Sequence, residues 1–296
     1  MKKRPFFLAS LLIGGIFFFF LLVFVAAGYF RSGSLLPTSS KQIGVLEISG
    51  IVSNERVIIR QIDDFRDNNN VKAIVLRIDS PGGAVGPSQE IYHELKKLAL
   101  KKPVIVSFGA VAASGGYYLA MAGEHIFANP GTITGSIGVV MSFPDYQELL
   151  GKVGVRSEVI KSGPYKDLGS ALRDMTDDER RLLHELIIDV HSQFVEVVSV
   201  GRNIPIAELT PYVDGRIFTG RQALEVGLVD ELGSFNDAVA HAALRVGLAG
   251  DPDLVYPQPE RQPFLQRYLN IVLNRFGSVD MAFNGVTGPK YLWTGP

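Results

Sequence analysis

The stretch Gly109-Ala110-Val111-Ala112-Ala113-Ser114-Gly115-Gly116-Tyr117-Tyr118 decides how this chain folds. An apolar run, Pro103 to Phe108, leads into it, and an apolar helical stretch, Tyr117 to Ala122, leaves it. The reading is a strand, a tight turn and a helix start. Small residues there surround a single hydroxyl, that of Ser114. Small neighbours let backbone N–H groups and a ligand approach Ser114 Oγ. A helix N-terminus also favours developing negative charge. Nucleophilic serines are often mounted this way. A plain N-cap is the other role open to the same hydroxyl.

Working outward, Gln42 to Val52 has an apolar strand pattern and Val57 to Arg66 has helical spacing, with Ile58, Ile59, Ile62 and Phe65 on one face. Val71 to Ile78 is a second strand, followed at once by Asp79-Ser80-Pro81-Gly82-Gly83-Ala84. Ser88 to Leu100 is the next helix and Val104 to Phe108 the third strand. This alternation predicts an α/β domain with right-handed crossovers and a mostly parallel sheet. Further on, the pattern predicts short strands around a Gly/Thr/Ser-rich turn (129–139), a helix over 146–152 and a strand over 155–161. Thr176-Asp177-Asp178-Glu179 is a capping box opening a long helix to Val200. Two more helices, 221–225 and 234–248, flank the strand-like Leu228-Val229-Asp230.

The chain has 296 residues and 47% apolar content, which excludes a disordered polypeptide. It has no cysteine, so disulfides, thiol catalysis and Cys-ligated metals are excluded. Four of the 29 basic residues and none of the 30 acidic ones precede Lys41, leaving the rest with a net charge of −5. That is no footprint for nucleic acid. Phe6 to Phe30 carries no charge, follows Lys2-Lys3-Arg4, and is long enough to cross a bilayer. It predicts an anchor with a cytoplasmic N-terminus and the remainder outside. A cleaved signal peptide, with Val25-Ala26-Ala27 as the cut site, is the competing reading. Residues 1–31 are thus assigned to the cytoplasmic N-terminus and anchor, 32–41 to a Ser/Gly/Pro-rich tether, 42–249 to the main domain, and 250–296 to an arm of open role. Within that arm, Leu265 to Phe276 reads as an amphipathic segment for packing or membrane-surface contact.

A serine nucleophile needs a base. The five histidines (His93, His125, His184, His191 and His241) lie outside Gly-rich turns like the one around Ser114 and read as structural or surface groups. Lys166, in the loop Ser162-Gly163-Pro164-Tyr165-Lys166-Asp167, is the candidate. A lysine acts as base when neutral, and burial without a counter-ion lowers its pKa. Asp167 beside it works the other way, and a simple loop lysine is the alternative. Acyl transfer also needs donors for an oxyanion. Gly83, after the second strand, and Gly115 are the natural pair, against the alternative of an ordinary Pro-Gly turn.

Together, RIDSPGG (77–83), AASGGYYLA (112–120), ANPGTITGSIGV (128–139), SGPYKD (162–167) and GRIFTGRQALEVGLVDELG (215–233) resemble the signal peptide peptidase A family of membrane serine peptidases, the S49 group. The resemblance covers about Ile43 to Leu248. It implies a Clp-protease/crotonase-like spiral of ββα units preceded by one transmembrane helix. It implies a Ser–Lys dyad, with Ser114 as nucleophile and Lys166 as general base. Ser136, with the Gly135 carbonyl, would orient the lysine, and Gly83 and Gly115 would form the oxyanion hole. No metal or cofactor is implied. This half-length form is expected to make homo-oligomeric rings in which Ser114 and Lys166 can come from adjacent subunits. The expected place is the bacterial cytoplasmic membrane, catalytic domain outward, and the expected substrates are released signal peptides and similar apolar peptides. Two other classes remain in view, an acyl-CoA enzyme on the crotonase fold and a non-catalytic membrane scaffold. The outward topology argues against the first, and the pair Ser114 and Lys166 against the second.

Overall fold

The structure, a computed structural model, describes residues 14–24, 42–257 and 289–293. The chain divides into two compact units, 1–40 and 41–296. In the first, 14–24 form a helix (α1) whose apolar side chains are exposed, Phe17 and Phe24 among them. The rest of the expected 6–30 anchor lies outside the described residues. Among those described, no helix is long and apolar enough to cross a membrane.

The second unit runs β1 (Gln42–Ser49), α2 (Glu55–Asp67), β2 (Val71–Ser80), β3 (Gly82–Ala84), α3 (Val85–Ala99), β4 (Val104–Ala113) and α4 (Gly115–Ala120). It continues with β5 (His125–Ala128), β6 (Ile133–Gly135), α5 (Gln147–Lys152), α6 (Asp177–Arg202), α7 (Ile206–Leu209), β7 (Ile217–Thr219) and α8 (Gly220–Glu225). The last described elements are β8 (Glu231–Leu232), α9 (Phe235–Arg245), β9 (Asp253–Val255) and β10 (Lys290–Leu292).

The main sheet has the order β7-β6-β4-β2-β1-β9, with β5 also against β4 and β8 against β5. All its pairings are parallel except β6–β7, as strand–helix alternation predicts. Central strands of such a sheet are covered on both faces, so they read as continuous apolar runs. On β2, Ile74, Leu76 and Ile78 face a core with Ile62 and Phe65 of α2 and Ile91 and Leu95 of α3. Ala73 and Val75 point the other way, onto Ala238, Val239 and Ala242 of α9. The period-2 alternation of the strand thus serves two cores.

Strand β4 positions the site. Its first half pairs with β5 through Ile105–Ser107, and its last residues, Val111–Ala113, pair with β6. The strand runs five residues beyond the expected end at Phe108, because β6 supplies a second partner. It stops at Ser114. The capping box at Thr176 is present, with its hydroxyl accepting from the Glu179 N–H at 3.3 Å.

Three expectations differ. Residues 155–161 form no strand; Val155, Val159 and Ile160 are exposed there and no sheet edge meets them. Leu228-Val229-Asp230 is a bend, and the strand follows at Glu231–Leu232. Residues 253–255, read as part of an extended arm, add a parallel strand to β1. Leu265–Phe276 lies outside the described residues.

Candidate active site

Ser114 sits between β4 and α4 with φ 54° and ψ −118°. Such a conformation costs a non-glycine residue free energy on the order of 1–3 kcal/mol and persists only where neighbours over-determine it. Here the Ser114 N–H donates to the Gly135 carbonyl at 2.8 Å, and the Ser114 carbonyl accepts the first helical bond of α4, from Tyr118 N–H, at 2.8 Å. The hydroxyl makes no N-cap bond. The capping alternative therefore does not hold, and the oxygen stays available for chemistry. Ser114 is almost fully buried in this structure.

The Pro-Gly stretch after β2 folds against this turn. Ser80 Oγ donates to the Gly50 carbonyl at 2.6 Å, and Val52 N–H donates to the Gly82 carbonyl at 2.9 Å, so the end of β1 locks it. Gly82 has φ 101° and Gly83 packs where any side chain would meet the Val52 carbonyl. A Cβ on Gly82 would stand 2.6 Å from the Gly115 nitrogen and overlap the Tyr291 carbonyl oxygen. A Cβ on Gly115 would lie 3.1 Å from both the Gly83 nitrogen and that same Tyr291 oxygen. The two glycines named from sequence thus converge on one point, and a carbonyl oxygen occupies it.

Ser136 is brought alongside. Ala113 pairs with Gly135 across β4 and β6, and Ser136, also at positive φ (50°), follows directly. Ser136 lines a groove of about 380 Å³ together with Val140, His191, Asp214, Leu292 and Trp293. His191 Nε2 has no hydrogen-bond partner among the described residues. Its place in this groove is set by α6, and nothing in its sequence neighbourhood signals that.

Lys166 is not joined to this group. It is exposed in the turn-rich segment 162–173, and among the described residues its amine forms no hydrogen bond or ion pair. The neighbour that threatened to hold it charged is otherwise engaged. Arg173 and Lys161 bind the Asp167 carboxylate at 2.8 and 2.6 Å and hold its pKa well below the usual carboxylate range. Arg173 also reaches Glu179 Oε1 at 2.5 Å. That contact, with the Thr176 N–H, pulls the buried Glu179 carboxyl down to about 2. The knot of Asp167, Arg173 and Glu179 fixes the Lys166 loop to the start of α6.

A depressed carboxyl stabilises the fold above its ordinary pKa and loses that contribution as pH falls through the folded value. Amide-exchange protection across 162–173, relative to the β2–β4 core, is therefore expected to fall between about pH 4.5 and pH 2. Arg173→Ala should lower protection at neutral pH and flatten the dependence. A dependence unchanged in the variant would remove this knot as the clamp.

One group among the described residues offers metal-type ligands: the donor atoms of His125, Glu231 and His241 lie within 4.8 Å of one another. The two rings are stacked face to face, 4.3 Å apart at 23°, so shared coordination would need them to turn. His125 pairs with Ile105. Along β4 that is on the order of 30 Å from Ser114, so this group is no part of the site.

The α/β sheet with a strained serine turn at the end of its interior strand β4 defines a Clp-protease-like protein; residues 47–134 match the Clp protease family model. Residues 96–249 match the model of Peptidase family S49. The chain belongs to peptidase family S49. A putative protease of Synechocystis is 48% identical over 74% of this chain and 78% of its own length. A putative signal peptide peptidase SppA of Enterococcus faecium is 35% identical over 68% of this chain and 62% of its own. Protease 4 of Haemophilus influenzae is 37% identical over 62% of this chain, which spans only 30% of it.

Proposed function

We propose that this chain is a membrane-anchored serine endopeptidase that cuts apolar peptides, released signal peptides among them, at the outer face of the bacterial cytoplasmic membrane. The observation that carries the reading is the strained Ser114 turn facing Gly83 and Gly115. Ser114 Oγ attacks the peptide carbonyl, and the two backbone N–H groups take up the oxyanion charge. Lys166 is the general base, with Ser136 orienting its amine. Membership of a peptidase family and relatives named as proteases support the reaction class.

Lys166 acts from a neighbouring copy in a ring. Two features support this. Among the described residues of the single chain its amine is unpaired. The segment 140–172 around it also presents exposed apolar side chains, Tyr146, Leu149, Val153 and Ile160 among them, on a scale that suits burial by a second copy. The uncharged run 6–30 serves as the anchor and keeps the site near the bilayer, where apolar peptides are left.

The test is direct. The full chain in detergent micelles, incubated with a synthetic apolar signal-type peptide, should give discrete fragments by mass spectrometry. An intact peptide in the presence of folded, assembled protein would overturn the peptidase reading.

A further inference from the structure

Beside the first half of β4, away from Ser114, three donor side chains meet on one face of the sheet. On β5, His125 and Phe127 are two residues apart and point the same way. Phe127 is paired with Glu231 of β8, so Glu231 shares that face. Helix α9 covers it. Phe127 packs with Ala238 and Ala242, and the His241 ring meets Phe127 edge-on at 5.5 Å. Three elements thus deliver His125, Glu231 and His241 to one place, with donor atoms within 4.8 Å of one another.

Hydrogen bonding does not account for this cluster. His125 Nε2 is buried and has no hydrogen-bond partner among the described residues. A buried polar atom in that state calls for a partner. Glu231 Oε2 lies 3.4 Å from it. The neighbouring carboxylates are already engaged: Arg202 holds Asp230 at 2.7 Å, and Arg245 holds Glu124 at 2.9 Å. Among the described residues Glu231 pairs with no lysine or arginine, and its side chain is open to solvent. The separation is itself informative. Two ligands of a tetrahedral zinc, each about 2.0–2.1 Å from the ion, stand roughly 3.3–3.4 Å apart. His125 Nε2 and Glu231 Oε2 are already at that spacing. His241 is the group that has to move. Its ring stacks on His125 at 4.3 Å, and turning it about the Cβ–Cγ bond costs little, because that torsion is broad.

We propose that His125, Glu231 and His241 bind one divalent transition-metal ion, with zinc the best match. Two imidazoles and a carboxylate are donors that zinc takes, whereas magnesium and calcium seek oxygen ligands. Water completes the shell from the exposed Glu231 side. The ion sits on the order of 30 Å along β4 from Ser114, and its binding does not depend on how that serine acts. Its role is to clasp α9 onto β5 and β8. The Glu124–Arg245 pair, one helical turn on from His241, holds the same junction.

The experiment titrates the full chain in detergent, first stripped with a chelator, with zinc alone against a chromogenic chelator. One zinc per chain is expected. Glu231→Gln, His125→Ala and His241→Ala should each weaken binding at least roughly tenfold, since loss of even an outer partner of a metal ligand costs about 10–100-fold. His184→Ala, at an exposed histidine elsewhere, should leave it unchanged. Amide exchange across β2–β4 reports that each variant is folded, and Glu231→Gln, on an exposed side chain, carries the test if a histidine variant unfolds. Zinc should also raise amide-exchange protection over 231–245 in the parent and not in Glu231→Gln. No stoichiometric zinc on the parent, or equal affinity in the folded variants, overturns the site and leaves an ordinary histidine–carboxylate pair. Displacement of zinc by a large excess of magnesium overturns the assignment to a transition metal. Binding lost in the variants with no zinc-dependent protection over 231–245 overturns the clasp.

Discussion

Replacing Ser114 by alanine is expected to lower peptide hydrolysis by roughly 10⁴-fold or more, with little change in stability. The loss is large because the nucleophile acts as a unit with its base and oxyanion donors, and deleting it leaves only binding and the donors to work on water. Stability is spared for three reasons. The hydroxyl makes no cap bond, so no buried partner is orphaned. The turn is held by backbone bonds to Gly135 and Tyr118, which alanine keeps. Alanine also meets the same strain at φ 54° that serine already bears. Peptide turnover, read with a denaturant midpoint, separates the outcomes. Turnover within tenfold of the parent would exclude Ser114 as nucleophile. A fall in midpoint matching the fall in turnover would make its role structural. Glycine at 114 is a poorer control, because it would relieve the strain and change two things at once.

The fold was legible where one local signal determined each element. The apolar runs of β1, β2 and β4 and the helical spacing of α2 and α3 are cooperative over many residues, and each was placed within a few residues of its observed span. The turn at Ser114 and the glycines at 82–83 were legible for another reason: a backbone that comes close to another backbone admits only small residues, and small residues in a row are visible in sequence. Residues 155–161 misled because β-branched Val155, Val159 and Ile160 carry strand propensity, which expresses pairing and burial more than any backbone preference. In this chain nothing pairs with them. Tyr291 was illegible. Its triplet Tyr291-Leu292-Trp293 is too short to show a period, and its importance comes from what lies opposite it, Gly83, more than 200 residues away. The Asp167–Arg173 contact was missed similarly: charge alone named Lys166 as the partner, and geometry gave Arg173.

Lys166→Ala is expected to abolish hydrolysis as completely as loss of Ser114, and mixing the two inactive chains is expected to bring part of it back. In a closed ring each copy offers a different surface to each neighbour, so a site can take its serine from one copy and its lysine from the next. When Ser114→Ala and Lys166→Ala chains are co-expressed equally and assemble at random, half of the sites have an intact serine. Half of those face an intact lysine, so about one quarter of the sites recover in a heterologous ring. Were both groups supplied by one chain, every site would lack one of them and none would recover. The parent should in addition grow more active from neutral to alkaline pH, because only the neutral amine accepts the Ser114 proton. A flat profile would exclude lysine as the base whatever the mixing shows. Recovery near one quarter with a rising profile requires both groups in one composite site. Zero recovery with a rising profile keeps Lys166 as base but returns it to its own chain, and the exposed 162–173 segment would then have to fold inward to reach Ser114.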